Sequence, residues 1–103
     1  MTDSKSNKRD YLRLKYNNFQ LYLISHSTLE SNELENNEEI KEFKKMSEEE
    51  IILFGIKHLR PYKSSNFEYP AKKIMDVFKI DTTNRSVLLM VINYLELIVS
   101  LIS

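Results

Sequence analysis

The sequence predicts an all-α protein: a small bundle of four to five helices with a highly apolar C-terminal helix at its centre. Three observations carry this. Apolar residues recur at spacings of three and four in several segments. Breakers are scarce, with one glycine (Gly55) and two prolines (Pro61 and Pro70) in 103 residues, whereas a β-sandwich or barrel needs many turns. Cap-forming residues stand just ahead of apolar runs, as at Ser47 and in the connection from Asp81 to Asn84.

The elements follow in order. Residues 1–7 are polar and expected to be a flexible N-terminus, with a single helical domain over 8–103. From Lys8, the positions Leu12, Tyr16, Phe19 and Leu23 share one helix face, widened by Tyr11, Leu14 and Tyr22. That helix fades near His26. Ser27 and Glu30 have capping-box spacing. An acidic stretch follows, in which Asn36-Asn37 is a weak point. The thin stripe Ile40, Phe43 and Met46 predicts a short helix over Glu38 to Lys45. Ser47 and Glu50 form a second capping box, with Ile51, Ile52, Leu53, Phe54, Ile56 and Leu59 behind it. Glu48 to Glu50 suit the positive end of that helix dipole, and Lys57, His58 and Arg60 the negative end. Pro61 stops it. A loop with Tyr62, Lys63, Phe67 and Tyr69 leads to Pro70, which suits a first helical turn. Ala71, Ile74, Met75 and Phe78 form the next stripe, and Asp81 to Asn84 make a short connection.

The last helix, from about Arg85, is apolar over more than half its circumference. Its polar residues Ser86, Asn93, Glu96, Ser100 and Ser103 fall on one narrow line, with Leu89 in the gap. Such a helix must be covered on most sides. The segment is slightly short for a span, carries Asn93 and Glu96 near its middle, and is expected not to cross a membrane. Burial against a partner, either another protein or a second copy of this chain, is expected to complete its cover. The surfaces this implies are Leu88, Ile92, Leu95, Val99 and Ile102 on the helix, and Tyr62, Phe67 and Tyr69 in the aromatic loop.

Composition limits the chemistry. No cysteine is present, which removes disulfide scaffolds, thiolate zinc sites and cysteine nucleophiles. His26 and His58 lie on different helices with no carboxylate at metal-ligand spacing. The acidic pairs read as dipole-favouring caps and solvated faces, and there is no glycine-rich phosphate loop. No catalytic residue, metal ligand or cofactor is expected, and the protein is expected not to be an enzyme. Fifteen basic residues balance fifteen acidic ones, so no global charge draws the chain to nucleic acid or anionic membrane. The polar N-terminus has no secretory pattern, so the expected location is the cytoplasm, or the nucleus in a eukaryotic host. The weight of Lys, Asn, Ile and Glu is frequent in AT-rich genomes, including phages and mobile elements.

Charge is nonetheless segregated. Basic residues dominate 5–15 and 57–85, and nine glutamates fall within 30–50. The segment from Ala71 to Asn93 reads helix, short turn, helix, and is loosely similar to a DNA-binding helix-turn-helix. That resemblance implies nucleic-acid contacts by Lys72, Lys73, Thr82, Thr83, Asn84 and Arg85. It departs from the pattern in lacking a turn glycine and in the six apolar residues from Val87 to Ile92. The expected function is therefore non-enzymatic protein–protein interaction, as a subunit of an assembly or a small modulator of a larger machine. The alternative is a small DNA-binding regulator.

Overall fold

A computed structural model describes residues 4–62 and 66–102. Lys63, Ser103 and residues 1–3 lie outside this range. Among the described residues there are six α-helices and no strand: α1 (Ser4–His26), α2 (Ser31–Asn36), α3 (Glu38–Lys44), α4 (Glu48–Phe54), α5 (Glu68–Val77) and α6 (Arg85–Ile102). A π-helical turn, Gly55–Leu59, continues α4.

Helix α1 buries the four residues its spacing selects, Leu12, Tyr16, Phe19 and Leu23. It starts at Ser4 rather than Lys8. Only Lys5 among residues 4–7 is a good helix former, but continuing an existing helix is far easier than nucleating one. Helix α6 packs on α1, on α5 and on the π turn. Phe19 stacks on Tyr94 with ring centroids 5.2 Å apart, and the Leu12 end of α1 lies beside Leu101 and Ile102. The two long helices therefore run antiparallel. Gly55 lies at this crossing, where a Cβ would meet the terminal methyl of the half-buried Ile102, the flexible tip of a side chain that can turn aside.

The caps show how local chemistry sets the boundaries. Ser47 Oγ accepts from the Glu50 N–H at 3.2 Å, and Glu50 Oε1 accepts from the Ser47 N–H at 3.2 Å. This is the reciprocal box read from the sequence. Asn37 breaks the acidic stretch and caps α3, its Oδ1 accepting from the Ile40 N–H at 3.1 Å. Ser27 does not cap α2. Its hydroxyl donates to the Phe78 carbonyl at 2.7 Å, while the Thr28 hydroxyl donates to the Lys79 carbonyl at 2.5 Å. The cap position passes to Glu30, whose N–H meets Glu33 Oε1 at 3.5 Å. A long-range clasp between the ends of α1 and α5 thus overrides the local spacing.

Those two carbonyls belong to a Schellman ending of α5. Lys79 N–H donates to Asp76 O at 3.1 Å and Ile80 N–H to Met75 O at 2.9 Å. Ile80 and Met75 are both buried, supplying the accompanying apolar contact. The pivot residue is Lys79, with φ of 55°, in the left-handed region that glycine adopts at no steric cost. Lys79→Gly keeps every backbone bond of the motif. It is expected to raise stability by about 1 kcal/mol, read as a higher midpoint in thermal or urea unfolding.

The core is one cluster of buried apolar side chains from every helix except α2, whose half-buried Leu34 packs against it. Tyr16 brings its one polar group into it. Its hydroxyl donates to the Phe43 carbonyl at 2.7 Å and lies 3.3 Å from Met46 Sδ. Burial pushes this phenol well above its ordinary pKa, with Arg13 opposing and Glu50 adding to the rise. It therefore stays a neutral donor.

Candidate functional site: an apolar groove between α3, the α4–π helix and α5

Three helices that are not neighbours in a single hairpin converge on an open groove of about 380 Å³. Helix α3 supplies Glu39 with Glu42 and Phe43, three and four residues on and so its neighbours on the helix surface, and Met46 follows just beyond. The α4–π helix supplies Phe54 and His58, four residues apart, with ring centroids 5.2 Å apart. Helix α5 and its cap supply the pairs Lys73/Val77 and Ile74/Phe78, each at a spacing of four. Phe43 and Phe78 are buried and meet edge to face at 5.8 Å, forming the floor. Met46, Phe54, Ile74 and Val77 are half-buried walls, while Glu39, Glu42, His58 and Lys73 are exposed on the rim.

The rim is asymmetric in charge. On the α3 side, Glu39 and Glu42 have no ion-pair partner among the described residues; the pairs present are Arg9–Glu49, Lys41–Glu38 and Lys72–Glu68. Across the groove, Lys73 Nζ lies 4.7 Å from the centre of the Tyr69 ring. Among the described residues no group of three His, Asp or Glu side chains is placed to hold a metal ion. None of the buried side-chain polar atoms described lacks a hydrogen-bond partner. The groove can therefore supply apolar area and fixed charges.

The residues expected to bind a partner separate into three groups. Leu88, Leu95 and Phe67 are buried in the chain's own core, so a partner cannot reach them while the bundle is closed. Ile92, Val99, Ile102 and Tyr62 are half-buried along its edge. Tyr69 is exposed, and its ring lies 6.0 Å from that of Tyr62 beside Glu68 and Lys72, in a shallow depression. The chain's own core thus covers one face of α6, while Ile92, Tyr94, Leu97, Val99, Leu101 and Ile102 are half-buried beside it. Val87, Leu88, Val91, Leu95 and Ile98 are buried. The line Ser86, Leu89, Asn93, Glu96 and Ser100 faces outward with Met90. By length and composition alone α6 is apolar enough to cross a membrane, but Asn93 and Glu96 near mid-helix, on the open side, would be costly in lipid.

Four of the six residues of the helix-turn-helix resemblance, Lys72, Lys73, Thr83 and Asn84, have local partners. Asn84 Oδ1 accepts from the Val87 N–H at 3.3 Å as the N-cap of α6. Thr83 donates its N–H and its hydroxyl to Asp81 Oδ1, at 2.9 and 2.7 Å, which holds that carboxyl below its usual pKa. Thr82 is half-buried, Lys72 pairs with Glu68 at 3.0 Å, and Arg85 is exposed. The outward face of the would-be reading helix continues into Leu89, Met90 and Glu96. His26 lies at the end of α1, its Nδ1 3.0 Å from the Tyr22 carbonyl.

The groove itself was not assembled from the sequence. Its signal is the width of the α5 stripe: Ile74 and Val77 extend it beyond what Ala71, Met75 and Phe78 need for the core. In comparisons with protein-family models, with curated proteins and with solved structures, nothing matches this chain.

Proposed function

We propose that the chain works without catalysis, as a helical module that docks a segment of another protein in the groove between α3, the α4–π helix and α5. The observation that carries this reading is an apolar floor and walls beside two carboxylates without ion-pair partners. The occupant that fits is an amphipathic helical segment. Its apolar side chains would lie against Phe43, Phe54, Ile74 and Phe78, with lysine or arginine beside Glu39 and Glu42. Aromatic rings and Met46 accept an aromatic or long aliphatic anchor with little strain. Apolar burial would supply affinity, and the acidic rim would set orientation. Such a module would serve as a subunit of an assembly or as a small modulator of a larger machine.

The test is selection of a displayed library of helix-forming peptides on the folded protein, counter-selected on Ile74→Glu. Ile74 is half-buried on the groove wall, and its circular dichroism and melting are measured alongside. Peptides that pair apolar residues at a spacing of three or four with lysine or arginine, and that lose binding to Ile74→Glu and to Glu39→Lys/Glu42→Lys, are the expected result. Enrichment of acidic peptides, or equal binding to all three proteins, would contradict the proposal.

A further inference from the structure

We infer that the groove's occupant is a second copy of this chain, which docks the outward stripe of its own α4–π helix there, so that copies join head to tail. The inference rests on the reading of the groove as a site for an amphipathic helix. The stripe has the chemistry that such an occupant needs. Leu53 and Ile56, three residues apart, are 62% and 39% exposed. Lys57 follows Leu53 by four residues and Arg60 follows Ile56 by four, so each cation lies beside its apolar neighbour on the helix surface. Both cations are exposed, and neither belongs to an ion pair among the described residues. The groove offers the complement. Phe54, Ile74 and Val77 are its half-buried apolar walls, and Glu39 and Glu42 on the α3 rim also lack ion-pair partners among the described residues.

The two surfaces cannot meet within one chain. Phe54 and His58 line the groove, and Leu53 and Lys57 precede them by one residue, about 100° round the helix at 3.6 residues per turn. The helix that forms one wall of the groove therefore carries the stripe on another side. A contact between unlike surfaces is heterologous, so each copy that docks its stripe leaves its own groove open, and growth continues unless the rotation closes a ring. Charge also sets the direction of docking. Glu48, Glu49 and Glu50 lie at the start of the stripe's helix, with Glu49 held by Arg9. They come seven or more residues before Lys57, roughly 10 Å away at 1.5 Å per residue. Docking the basic end beside Glu39 and Glu42 keeps these acids apart; the reverse direction would set acid against acid. Lys73 stands on the opposite rim, away from the neighbour's two cations. One short helix per contact buries little surface, so the association is weak.

Unlike surfaces allow a test by mixing. Light scattering on the full chain should show the mass rising with concentration from 12.3 kDa past twice that value. Leu53→Asp spoils the stripe and keeps the groove, while Ile74→Glu spoils the groove and keeps the stripe. Each alone should weaken association by about tenfold or more, through a carboxylate set against the apolar contact and the acidic rim, with unchanged helical circular dichroism. Glu39→Lys/Glu42→Lys, at exposed positions, replaces Ile74→Glu if that chain fails to fold. An equal mixture of the stripe variant and the groove variant restores one good contact, and its mass should return to at least twice that of a single chain. A wild-type chain that stays at 12.3 kDa up to millimolar concentration, a Leu53→Asp chain that still associates, or a mixture that stays as single chains would each overturn the inference. Groove-binding peptides found for a chain that stays single would leave the docking reading standing and end this one.

Discussion

Leu95→Asp is expected to unfold the protein, while Leu89→Asp on the same helix leaves it folded. Leu95 is fully buried where α6 meets the rest of the core, whereas Leu89 is 52% exposed on the outward line. Truncating a buried leucine costs roughly 2–5 kcal/mol through lost transfer energy and the cavity left behind. An unpaired carboxylate in that position adds several kcal/mol more, because none of the charged residues described is buried there to pair with it. The sum is comparable with the whole stability of a small domain, about 5–15 kcal/mol. At Leu89 the new carboxylate stays in water beside Asn93 and Ser86, and the change is expected within about 0.5 kcal/mol. Far-UV circular dichroism at 25 °C separates the two directly. The contrast also governs how interaction experiments are read: loss of a partner in Leu95→Asp would report unfolding, not a lost surface.

Phe19→Ala is expected to cost about 3–5 kcal/mol, the range for emptying a large aromatic site. Phe19 has no exposed surface and joins three helices. Its ring meets Phe43 of α3 edge to face at 5.8 Å and stacks on Tyr94 of α6 at 5.2 Å. Collapse into the cavity is restricted, because Phe43 is itself held against Tyr16 at 5.1 Å and Phe78 at 5.8 Å. At this size each kcal/mol moves the melting midpoint by roughly 4–8 °C, so the loss is large in a thermal scan. Leu21→Ala, two residues away and 65% exposed, is the matched control and should shift the midpoint little.

The helices were legible where one local signal decided them. Ser47 and Glu50 made the capping box they spell, Asn37 broke the acidic stretch, and Asn84 capped α6. The polar line of α6 is exposed as its spacing implied, from Ser86 through Asn93 and Glu96 to Ser100. That line also held information left unused. It defines the outward direction, so the opposite side, with Leu88 and Leu95, had to be the core side. Apolar character alone does not say which partner covers a residue, and for these two the partner is the chain itself. Ser27 shows the other limit. Its spacing to Glu30 is that of a cap, yet a bond to Phe78, fifty-one residues away, takes its hydroxyl. The left-handed Lys79 was hidden because lysine has no preference that announces the turn. The groove was hidden because its walls come from three segments whose association is a tertiary fact.

The central claim is that the Val87, Leu88, Val91, Leu95 and Ile98 face of α6 is covered by the rest of its own chain, leaving the groove open to a partner. Amide hydrogen exchange, on the dilute monomer without detergent or partner, tests it most directly. The amides from Leu88 to Ile98 should be among the slowest in the protein, protected by about 10³ or more, as expected when exchange requires global opening costing roughly 5 kcal/mol. Those of α2, which buries none of its residues, should exchange quickly. Rapid exchange along α6 that slows only when detergent or another protein is added would contradict the account.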